Sequence, residues 1–382
     1  MQIETKNYPV AVFGAGTMGE GIAQIAATAG HPVLLYDVSQ EQTQTAFGNI
    51  ATRLERSMQK GKITAEKRVQ ILTNLRPTQT LEQLSQAKLV IEAIIEDLEI
   101  KQTVFCQLES MLAEDVILAT NTSSIDLNKL GSVLKRPQRL VGMHFFNPAP
   151  VMALVEVVRS TETDSTVADT IFNFAEQWGK SPVHVRSSPG FIVNRAARPF
   201  YSEALAILKE SGTNAATCDA IMRDCGGFRM GPFELMDLIG LDVNYAVTCQ
   251  IWESYQRHPR FAPSELQKKL VDSGRLGRKS GQGFFEYGEN LEKPAVNNAE
   301  ETSAPDSVVL EGPEYLPESL RKLFDESSLT LQSTSGKGYI RLPEGTIVVP
   351  ANGKSSTERS VEFGHSVISL DLCLDYFHTS RI

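Results

Sequence analysis

The stretch VAVFGAGTMGEGIAQIAATAGHPVLLYD, residues 10–37, decides the fold of this chain. It predicts a short strand, a glycine turn, a helix, a second strand and a carboxylate. Gly14 permits the tight turn, Gly16 leaves the backbone bare for a pyrophosphate, and Gly19 lets the helix pack closely on the sheet. Free N–H groups at the start of the helix then face the anion. The stretch therefore predicts a dinucleotide-binding βαβ unit.

The acidic residue at the end of the second strand, Asp37, indicates which dinucleotide is bound. A carboxylate there accepts hydrogen bonds from a ribose 2′-hydroxyl and repels a 2′-phosphate, which favours NAD over NADP. FAD is bound by the same opening turn, so the glycine pattern alone does not separate it from NAD. The cofactor contacts expected in this unit follow the turn into the helix: Gly14, Gly16, Thr17, Met18, Gly19 and Asp37.

Composition excludes several classes of protein. With 382 residues, 41% hydrophobic and 22% charged, the chain is typical of a globular protein of two or three domains. Its net charge of −9 argues against a nucleic-acid partner. No apolar run reaches 18 residues, so no membrane span is predicted. Because residues 1–8 (MQIETKNY) mix charges and lead straight into the first strand, we expect no signal peptide and a cytoplasmic protein.

The five cysteines contain no CxxC pair and are widely spaced, which is typical of reduced, mostly buried thiols. No group of residues has the spacing of metal ligands. The sequence therefore predicts neither a redox pair nor a metal site.

The order of patterns along the chain predicts an α/β architecture. Strands alternating with helices over residues 1–187 predict a doubly wound, mostly parallel sheet covered on both faces. Within it, residues 40–75 form a polar insertion that we interpret as two helices with a break near Gly61. The predicted strands of this region are Val10–Phe13, Val33–Tyr36, Leu89–Ala93, Val116–Ala119 and Leu140–Met143, followed by a returning strand in LVEVV, residues 154–158.

Beyond this region the periodicity changes. Residues 188–288 are expected to be all helical, since apolar residues recur at spacings of three and four. This stripe favours either a homodimer interface or packing within the chain, and both stay open. Residues 289–306 are acidic and poor in large apolar side chains, which indicates a linker. Residues 307–382 predict a small α+β module with strands at 308–310, 346–349 and 367–370, and leave open whether it is truncated.

Reactive side chains follow predicted strands, lie on the returning strand or begin a helix. Ser123 and the neighbouring Asn121 come directly after a predicted strand, where ligands of open α/β sheets gather. His144 also follows a strand, and the returning strand can bring Glu156 beside it. A carboxylate on one imidazole nitrogen fixes the tautomer and lets the other nitrogen take a proton. Asn194, at the start of the first long helix of the next region, can supply an amide donor to a carbonyl.

Five segments together resemble the L-3-hydroxyacyl-CoA dehydrogenase family, including its bacterial 3-hydroxybutyryl-CoA dehydrogenases. They occur in the family's order between residues 8 and about 287, and they are GAGTMGEGIAQIAATAG, TNTSSI, MHFFNPAPVMALVEVV, PGFIVNR and GPFELMDLIGLD. The resemblance implies a Rossmann-type first domain with NAD as cofactor. It also implies that the chain past residue 289 is similar to the extra module of long members such as 3-hydroxyadipyl-CoA dehydrogenases.

The resemblance further assigns expected roles. His144 corresponds to the catalytic base and Glu156 to its orienting partner, while Ser123 and Asn194 correspond to positions that bind substrate oxygens. The remaining positions line the cofactor or coenzyme A: Glu96 and Lys101 lie on the nicotinamide ribose side, and Lys60 contacts coenzyme A. Asn121 is also an expected cofactor contact, because it directly follows a predicted strand.

Basic residues in the polar insertion also point to coenzyme A. Arg53, Arg56, Lys60 and Lys67 recur at helical spacing on an otherwise acidic chain. Such a stripe is either a solvated helix face or a clamp for a polyphosphate, and Arg53 and Lys60 are the expected substrate contacts.

The resulting hypothesis is NAD-dependent oxidation of an L-3-hydroxyacyl-CoA to the 3-ketoacyl-CoA, in fatty-acid β-oxidation, butanoate or aromatic-acid catabolism. Two alternatives stay open. One is a dehydrogenase of a free hydroxy or sugar acid such as gulonate, and the other is a non-catalytic, crystallin-like NAD-binding protein. Neither acyl-chain length nor a dicarboxylic acyl group can be read from the sequence, because an apolar pocket distinguishes one methylene by only about 1–3 kcal/mol.

Overall fold

A computed structural model describes residues 8–210, 212–289, 291, 294–298, 303–370, 373 and 375–377. The chain forms two compact units, Met1–Ala197 with Glu253–Gln256, and Arg198–Trp252 with Arg257–Ile382. The predicted domain boundaries at residues 187, 288 and 306 stay predictions.

The first unit is built on an eight-stranded sheet. Its strands are β1 (Val10–Phe13), β2 (Val33–Tyr36), β3 (Leu75–Pro77), β4 (Leu89–Glu92), β5 (Ile117–Thr120), β6 (Leu140–Phe145), β7 (Leu154–Arg159) and β8 (Ser181–Arg186). They lie in the order β3-β2-β1-β4-β5-β6-β7-β8. Neighbouring strands are parallel throughout except β6 and β7, which are antiparallel. This confirms the predicted doubly wound, mostly parallel sheet.

Helices cover both faces of this sheet. They are α1 (Thr17–Ala29), α2 (Gln40–Gln59), α3 (Ala65–Asn74), α4 (Leu98–Met111), α5 (Leu127–Gly131) and α6 (Ser165–Gln177). Because side chains alternate along a strand, Val10 and Val12 of β1 join the core beneath α1, α2 and α6, whereas Ala11 and Phe13 join the core beneath α4 and α5. Burial on both faces explains why the strand reads as an unbroken apolar run.

The described strands agree closely with the predicted ones. β1 and β2 have the predicted bounds, and β4 and β5 differ from them by one residue. β6 continues two residues further than predicted, so that it includes His144. The sequence missed β3, which has only three residues, and β8, in which four of the six residues are exposed.

The second region is helical as predicted as far as Asp272, whereas the glycine-rich residues 273–288 form turns and isolated β-bridges. Its helices are α7 (Val193–Lys209), α8 (Ala215–Asp224), α9 (Pro232–Ile239), α10 (Leu241–Ser254) and α11 (Glu265–Asp272). The chain reaches α7 through two residues with positive φ, Gly190 at 73° and Phe191 at 49°. Left-handed backbone is ordinary for glycine and rare for phenylalanine, so Phe191 is held there by its surroundings.

The C-terminal region contains a five-stranded sheet with two helices. Its elements are β9 (Ser307–Glu311), α12 (Glu318–Asp325), β10 (Thr330–Thr334), β11 (Tyr339–Arg341), β12 (Ile347–Pro350), α13 (Ser356–Phe363) and β13 (Val367–Leu370). The strand order is β10-β9-β11-β12-β13, with parallel and antiparallel neighbours. The predicted α+β module is confirmed. The polar, exposed β10 and the three-residue β11 gave no sequence signal.

Candidate active site

The turn between β1 and α1 has the geometry that its glycines predict. Gly14 has a φ of +108°, and a Cβ there would lie 2.4 Å from the carbonyl oxygen of Ala93. A Cβ on Gly19 would lie 1.8 Å from the carbonyl oxygen of Gly14. Side chains are therefore excluded at both positions. A Cβ on Gly16 would meet nothing within 4 Å, so open space lies beside the N-terminus of α1, as a pyrophosphate requires.

The carboxylate of Asp37 lies against this turn. Its Oδ2 accepts a hydrogen bond from the backbone N–H of Ala15 at 2.8 Å, and its Oδ1 accepts one from the N–H of Ser39 at 2.9 Å. These contacts hold a partly exposed carboxylate at the end of β2, beside the start of α1. Thr17 and Met18 are the first two residues of that helix, so the predicted cofactor residues of the βαβ unit form one group and fit a dinucleotide.

A buried ion pair lies at the carboxyl end of β4. Nζ of Lys101, which is 1% exposed, is 2.5 Å from Oε1 of the fully buried Glu92, whose Oε2 accepts a hydrogen bond from the Thr120 hydroxyl at 2.7 Å. The same ammonium is 3.3 Å from the carboxylate of Glu96. Sequence reasoning missed Glu92. Its signal was a glutamate ending the otherwise apolar strand LVIE.

Glu96 joins this pair to the segment after β5. Its Oε1 accepts hydrogen bonds from the Thr122 hydroxyl at 2.6 Å, the Ser123 N–H at 2.9 Å and the Ser124 hydroxyl at 2.8 Å. Burial acts to raise the pKa of Glu96, but the Lys101 ammonium and these hydrogen bonds outweigh it, and the net pKa is lowered. Glu96 therefore stays ionised and fixes the loop that carries the Ser123 hydroxyl.

Asn121 ties the ends of three neighbouring strands together. Its N–H donates to the carbonyl of Glu92 at 2.8 Å, and its Oδ1 accepts from the N–H of Phe145 at 2.8 Å. The carboxyl ends of β4, β5 and β6 are thereby aligned, as expected for a ligand-binding edge of a parallel sheet.

His144 and Glu156 are direct partners across the antiparallel strands β6 and β7. Nδ1 of His144 lies 2.8 Å from Oε2 of Glu156, and the two residues are 5% and 0% exposed. The rings of Phe146 and Phe191 flank the imidazole at centroid distances of 4.6 and 5.5 Å. No residue that the structure describes hydrogen-bonds Nε2 of His144. With Glu156 ionised, Nδ1 carries the proton and Nε2 is the basic nitrogen.

The second oxygen of Glu156 holds the start of α7. Oε1 accepts hydrogen bonds from the N–H groups of Ile192 and Val193 at 2.9 and 3.0 Å. A carboxylate at this end is favoured by the helix dipole. Asn194, half-buried, is the second residue of the helix. One carboxylate thus positions both the imidazole and the helix start that carries Asn194.

The chain matches two successive family models over most of its length. Residues 9–188 match the NAD binding domain of 3-hydroxyacyl-CoA dehydrogenase, and residues 190–287 match its C-terminal domain. The chain belongs to the 3-hydroxyacyl-CoA dehydrogenase family. The predicted family and its NAD cofactor are thereby confirmed.

Three relatives of this 3-hydroxyacyl-CoA dehydrogenase family illustrate the likeness. The chain is 47% identical to a 3-hydroxyadipyl-CoA dehydrogenase of Escherichia coli over 77% of its own length and 62% of the relative's. It is 39% identical to a probable 3-hydroxybutyryl-CoA dehydrogenase of Bacillus subtilis, over 73% of this chain and 97% of that protein. A crystal structure of 3-hydroxybutyryl-CoA dehydrogenase from E. coli superimposes with a TM-score of 0.85 at 39% identity, covering 97% of this chain and 73% of that one.

The basic residues of the insertion do not form one continuous group. Arg53 is half-buried, forms an ion pair with Glu20 and donates to Oε1 of Gln24 at 2.9 Å. Lys67 donates to the carbonyl of Thr28 at 3.1 Å. Arg56 and Lys60, at the end of α2, are exposed. Among the four predicted members of a coenzyme A clamp, Arg56 and Lys60 are therefore the accessible cations, whereas Arg53 already has a carboxylate partner.

Other predicted features can be located directly. Four of the five cysteines are buried or half-buried, Cys106 is exposed, and none of the five forms a disulfide. Within the described ranges, no group of three or more His, Cys, Asp or Glu side chains could hold a metal ion. The helices of the same ranges include none with the length and apolar character needed to span a bilayer.

Proposed function

We propose that the protein catalyses the reversible NAD-dependent oxidation of an L-3-hydroxyacyl-CoA to the 3-ketoacyl-CoA, with His144 as the catalytic base. The observation that carries this proposal is the 2.8 Å contact between Nδ1 of His144 and the buried Glu156, which leaves Nε2 as the proton acceptor. Membership of the 3-hydroxyacyl-CoA dehydrogenase family supplies the reaction class. The NAD fingerprint follows the carboxyl end of β1, and the imidazole lies near the carboxyl end of β6 in the same sheet.

The proton and the hydride go to different acceptors. NAD, when bound, supplies the hydride acceptor at C4 of its nicotinamide ring. Nε2 of His144 takes the hydroxyl proton as the C3 carbonyl forms, and the imidazolium that results is stabilised by Glu156. In the reverse direction the same nitrogen returns the proton. General acid–base catalysis of this kind accelerates a reaction by about 10²–10⁴-fold.

Ser123 and Asn194 are proposed to hold the substrate oxygens. The Glu96 network fixes the loop of Ser123, and the Glu156 carboxylate fixes the helix start that carries Asn194. Both donors are therefore carried on backbone that is held in place before substrate arrives, which lowers the entropic cost of reaching the reactive geometry. Arg53 on α2 and Lys60 directly after that helix are proposed to contact coenzyme A, with Lys60 the accessible member of the pair.

The proposed partner is a second copy of the chain. The helical region carries large apolar side chains that are between two-fifths and one-half exposed: Ile207, Phe228, Leu238, Ile239 and Val243. Such side chains, recurring on neighbouring helices, support the predicted homodimer. The molar mass in solution, measured by light scattering, tests it.

The assay that tests the function follows NADH at 340 nm with a series of substrates. We expect oxidation of L-3-hydroxyacyl-CoA esters, or of NADH with acetoacetyl-CoA, and no activity on free gulonate. Activity on gulonate alone would assign the protein to the dehydrogenases of free sugar acids. No activity on any substrate despite NADH binding would favour a non-catalytic role. The relatives differ in their acyl groups, adipyl in one and butyryl in others, so the acyl group needs its own test.

A further inference from the structure

A cavity of about 420 Å³ lies at the carboxyl ends of β7 and β8, within the first compact unit. β7 runs antiparallel to β6, near whose carboxyl end His144 lies. The cavity is therefore at the opposite edge of the sheet from His144. It is lined by Arg159 and Arg186, the last residues of the two strands, and by uncharged polar residues that have no part in the site proposed above: Asn128, Ser160, Thr161, Thr163 and Ser187.

Arg159 and Arg186 place two positive charges side by side. They are register partners in the parallel strands β7 and β8, so their side chains project from the same face of the sheet. Arg159 is half-buried and Arg186 is exposed. Neither guanidinium forms a hydrogen bond or an ion pair with any residue that the structure describes. Because like charges on paired strand positions repel, and arginine stays charged in proteins, the pair favours a shared anion.

The polar part of the wall is held by hydrogen bonds within the protein. Oδ1 of Asn128 accepts from the Thr161 hydroxyl at 2.8 Å, and the Ser187 hydroxyl donates to Oδ1 of Asp126 at 2.8 Å. Asp126 is not a lining residue, and the same oxygen also accepts from the N–H of Asn128 at 3.0 Å. The wall is therefore fixed before a ligand arrives, and the charged groups that it offers are the two guanidiniums.

The number of charges and donors favours a phosphate over a carboxylate. One guanidinium fork matches the two oxygens of a carboxylate, which carries a single negative charge. A phosphate monoester carries about 1.5–2 negative charges at pH 7 and presents three acceptor oxygens, so it can accept from two guanidiniums at once. Arg159 and Arg186 together therefore match a phosphate group.

A second cavity of about 270 Å³ adjoins the first and shares three of its lining residues. Among the described residues of its wall, the one with a charged side chain is the exposed Glu162, whose carboxylate repels a second anionic group. The two cavities therefore suit a phosphate joined to a compact, uncharged organic group. The surface for that group consists of apolar residues of α5 and the segment after it: Leu127, Gly131, Leu134 and Pro137.

We propose that Arg159 and Arg186 form a binding site for a small organic phosphate. The phosphate lies between the two guanidiniums, and the organic group occupies the adjoining cavity. Such a ligand is additional to the NAD and the acyl-CoA of the proposed reaction, so this proposal stands or falls independently of that reaction.

The test uses phenyl phosphate as the probe. Its binding to the full chain is measured by isothermal titration calorimetry with saturating NADH, which occupies the phosphate-binding turn between β1 and α1. We expect phenyl phosphate to bind about 10-fold more tightly than benzoate, which has a carboxylate, and than inorganic phosphate, which lacks the ring. Arg159→Met and Arg186→Met should each weaken its binding about 10-fold or more, whereas Arg186→Lys keeps part of the affinity, since the charge stays but the fork is lost.

Arg76→Met is the matched control. Arg76, on β3 of the same sheet, is exposed, and its guanidinium likewise has no partner among the described residues. This variant loses the same charge and should bind phenyl phosphate as the unaltered protein does. An equal loss of binding in Arg76→Met would mean that net charge alone attracts the ligand, and would overturn the proposal.

Three further outcomes would count against the site. If the unaltered protein does not bind phenyl phosphate at up to about 10 mM, the proposal is overturned even where the arginine variants do not fold. Unchanged binding in Arg159→Met and Arg186→Met overturns it as well. Equal affinity for inorganic phosphate rejects the role of the second cavity, and equal affinity for benzoate rejects the preference for phosphate.

Discussion

Two regions of the molecule each bury a carboxylate against the backbone, and they use it differently. In the NAD-binding region, Glu156 accepts hydrogen bonds from two consecutive N–H groups at the start of α7. In the helical region, Asp237 on α9 accepts from the N–H groups of Phe284 and Phe285 at 3.0 and 2.9 Å. Both carboxylates are 0% exposed.

The two carboxylates differ in their third hydrogen-bond partner. Glu156 also contacts the imidazole of His144, a side-chain type that exchanges protons near neutral pH. Asp237 instead accepts from the hydroxyl of Tyr287 at 2.9 Å, and burial together with Asp237 raises the pKa of that tyrosine far above its ordinary value. Asp237 therefore fastens a chain segment, whereas Glu156 can also support proton transfer. Burial of a carboxylate does not by itself indicate catalysis.

Removing the imidazole of His144 should have the largest effect. His144→Ala should lower kcat by at least about 10³-fold, because no other base replaces Nε2, while NADH affinity stays within about threefold. Steady-state kinetics measures kcat, and a fluorescence titration with NADH measures the affinity for the cofactor. Turnover near that of the unaltered protein, or loss of NADH binding in a folded variant, would show that His144 is not the base.

The next effect should come from Glu156→Gln. The amide oxygen can still accept from Ile192 and Val193, but the amide N–H can donate to Nδ1 and move the imidazole proton to Nε2, where it blocks the base. We expect kcat to fall about 10- to 1000-fold, with a changed pH dependence of kcat. A change in unfolding free energy with unchanged kcat and pH profile would mean that Glu156 only fastens α7.

Replacing the buried carboxylate of the helical region by an amide should lower stability and leave kcat unchanged. Asp237→Asn loses one of three accepted hydrogen bonds at a buried site and should lower the free energy of unfolding by about 2–3 kcal/mol. The kcat of the folded variant should be unchanged. Urea denaturation measures the first quantity, with Asp272→Asn as the control, since its exposed pair with Lys268 should be worth less than about 1 kcal/mol. A large fall in kcat for Asp237→Asn would show that Asp237 does more than fasten a chain segment.

A third buried carboxylate, that of Asp219, makes the stability of the fold depend on pH. Asp219 is 1% exposed, and burial raises its pKa from 3.8 to about 6 despite hydrogen bonds from the N–H groups of Phe233 and Glu234. The folded state therefore binds this proton more tightly than the unfolded chain does. Its contribution to the free energy of unfolding is greatest below pH 4 and falls by about 2–3 kcal/mol as the pH rises through 6.

Denaturation of the unaltered protein and of Asp219→Asn at pH 4.5 and 7.5 measures this difference. Relative to the unaltered protein, Asp219→Asn should have a higher free energy of unfolding at pH 7.5 than at pH 4.5. A gap that does not change with pH would show that Asp219 has an ordinary pKa in the fold.

Much of the fold was predictable because its determinants are local. The apolar runs of β1 and β2, the glycines between β1 and α1, and the acid after β2 each act within a few residues of the chain. The register of β6 against β7 was also within reach, since the loop between them is short and LVEVV returns at once. The weak strands β3, β8, β10 and β11 were missed, because their short or polar sequences form strands only beside a neighbour that is already in place.

The sequence by itself determined the NAD-binding βαβ unit, the helices that follow it, and the four side chains expected at the site. Backbone sterics and hydrophobic periodicity act between residues that are close in the chain, so the amino-acid sequence alone reveals them. Only the tertiary structure decided that Arg159 and Arg186 line one cavity, that Glu92 pairs with Lys101, and that Asp237 fastens the segment at Phe284. The last two contacts join residues up to 48 positions apart, and their strength comes from exclusion of water, which no local pattern records.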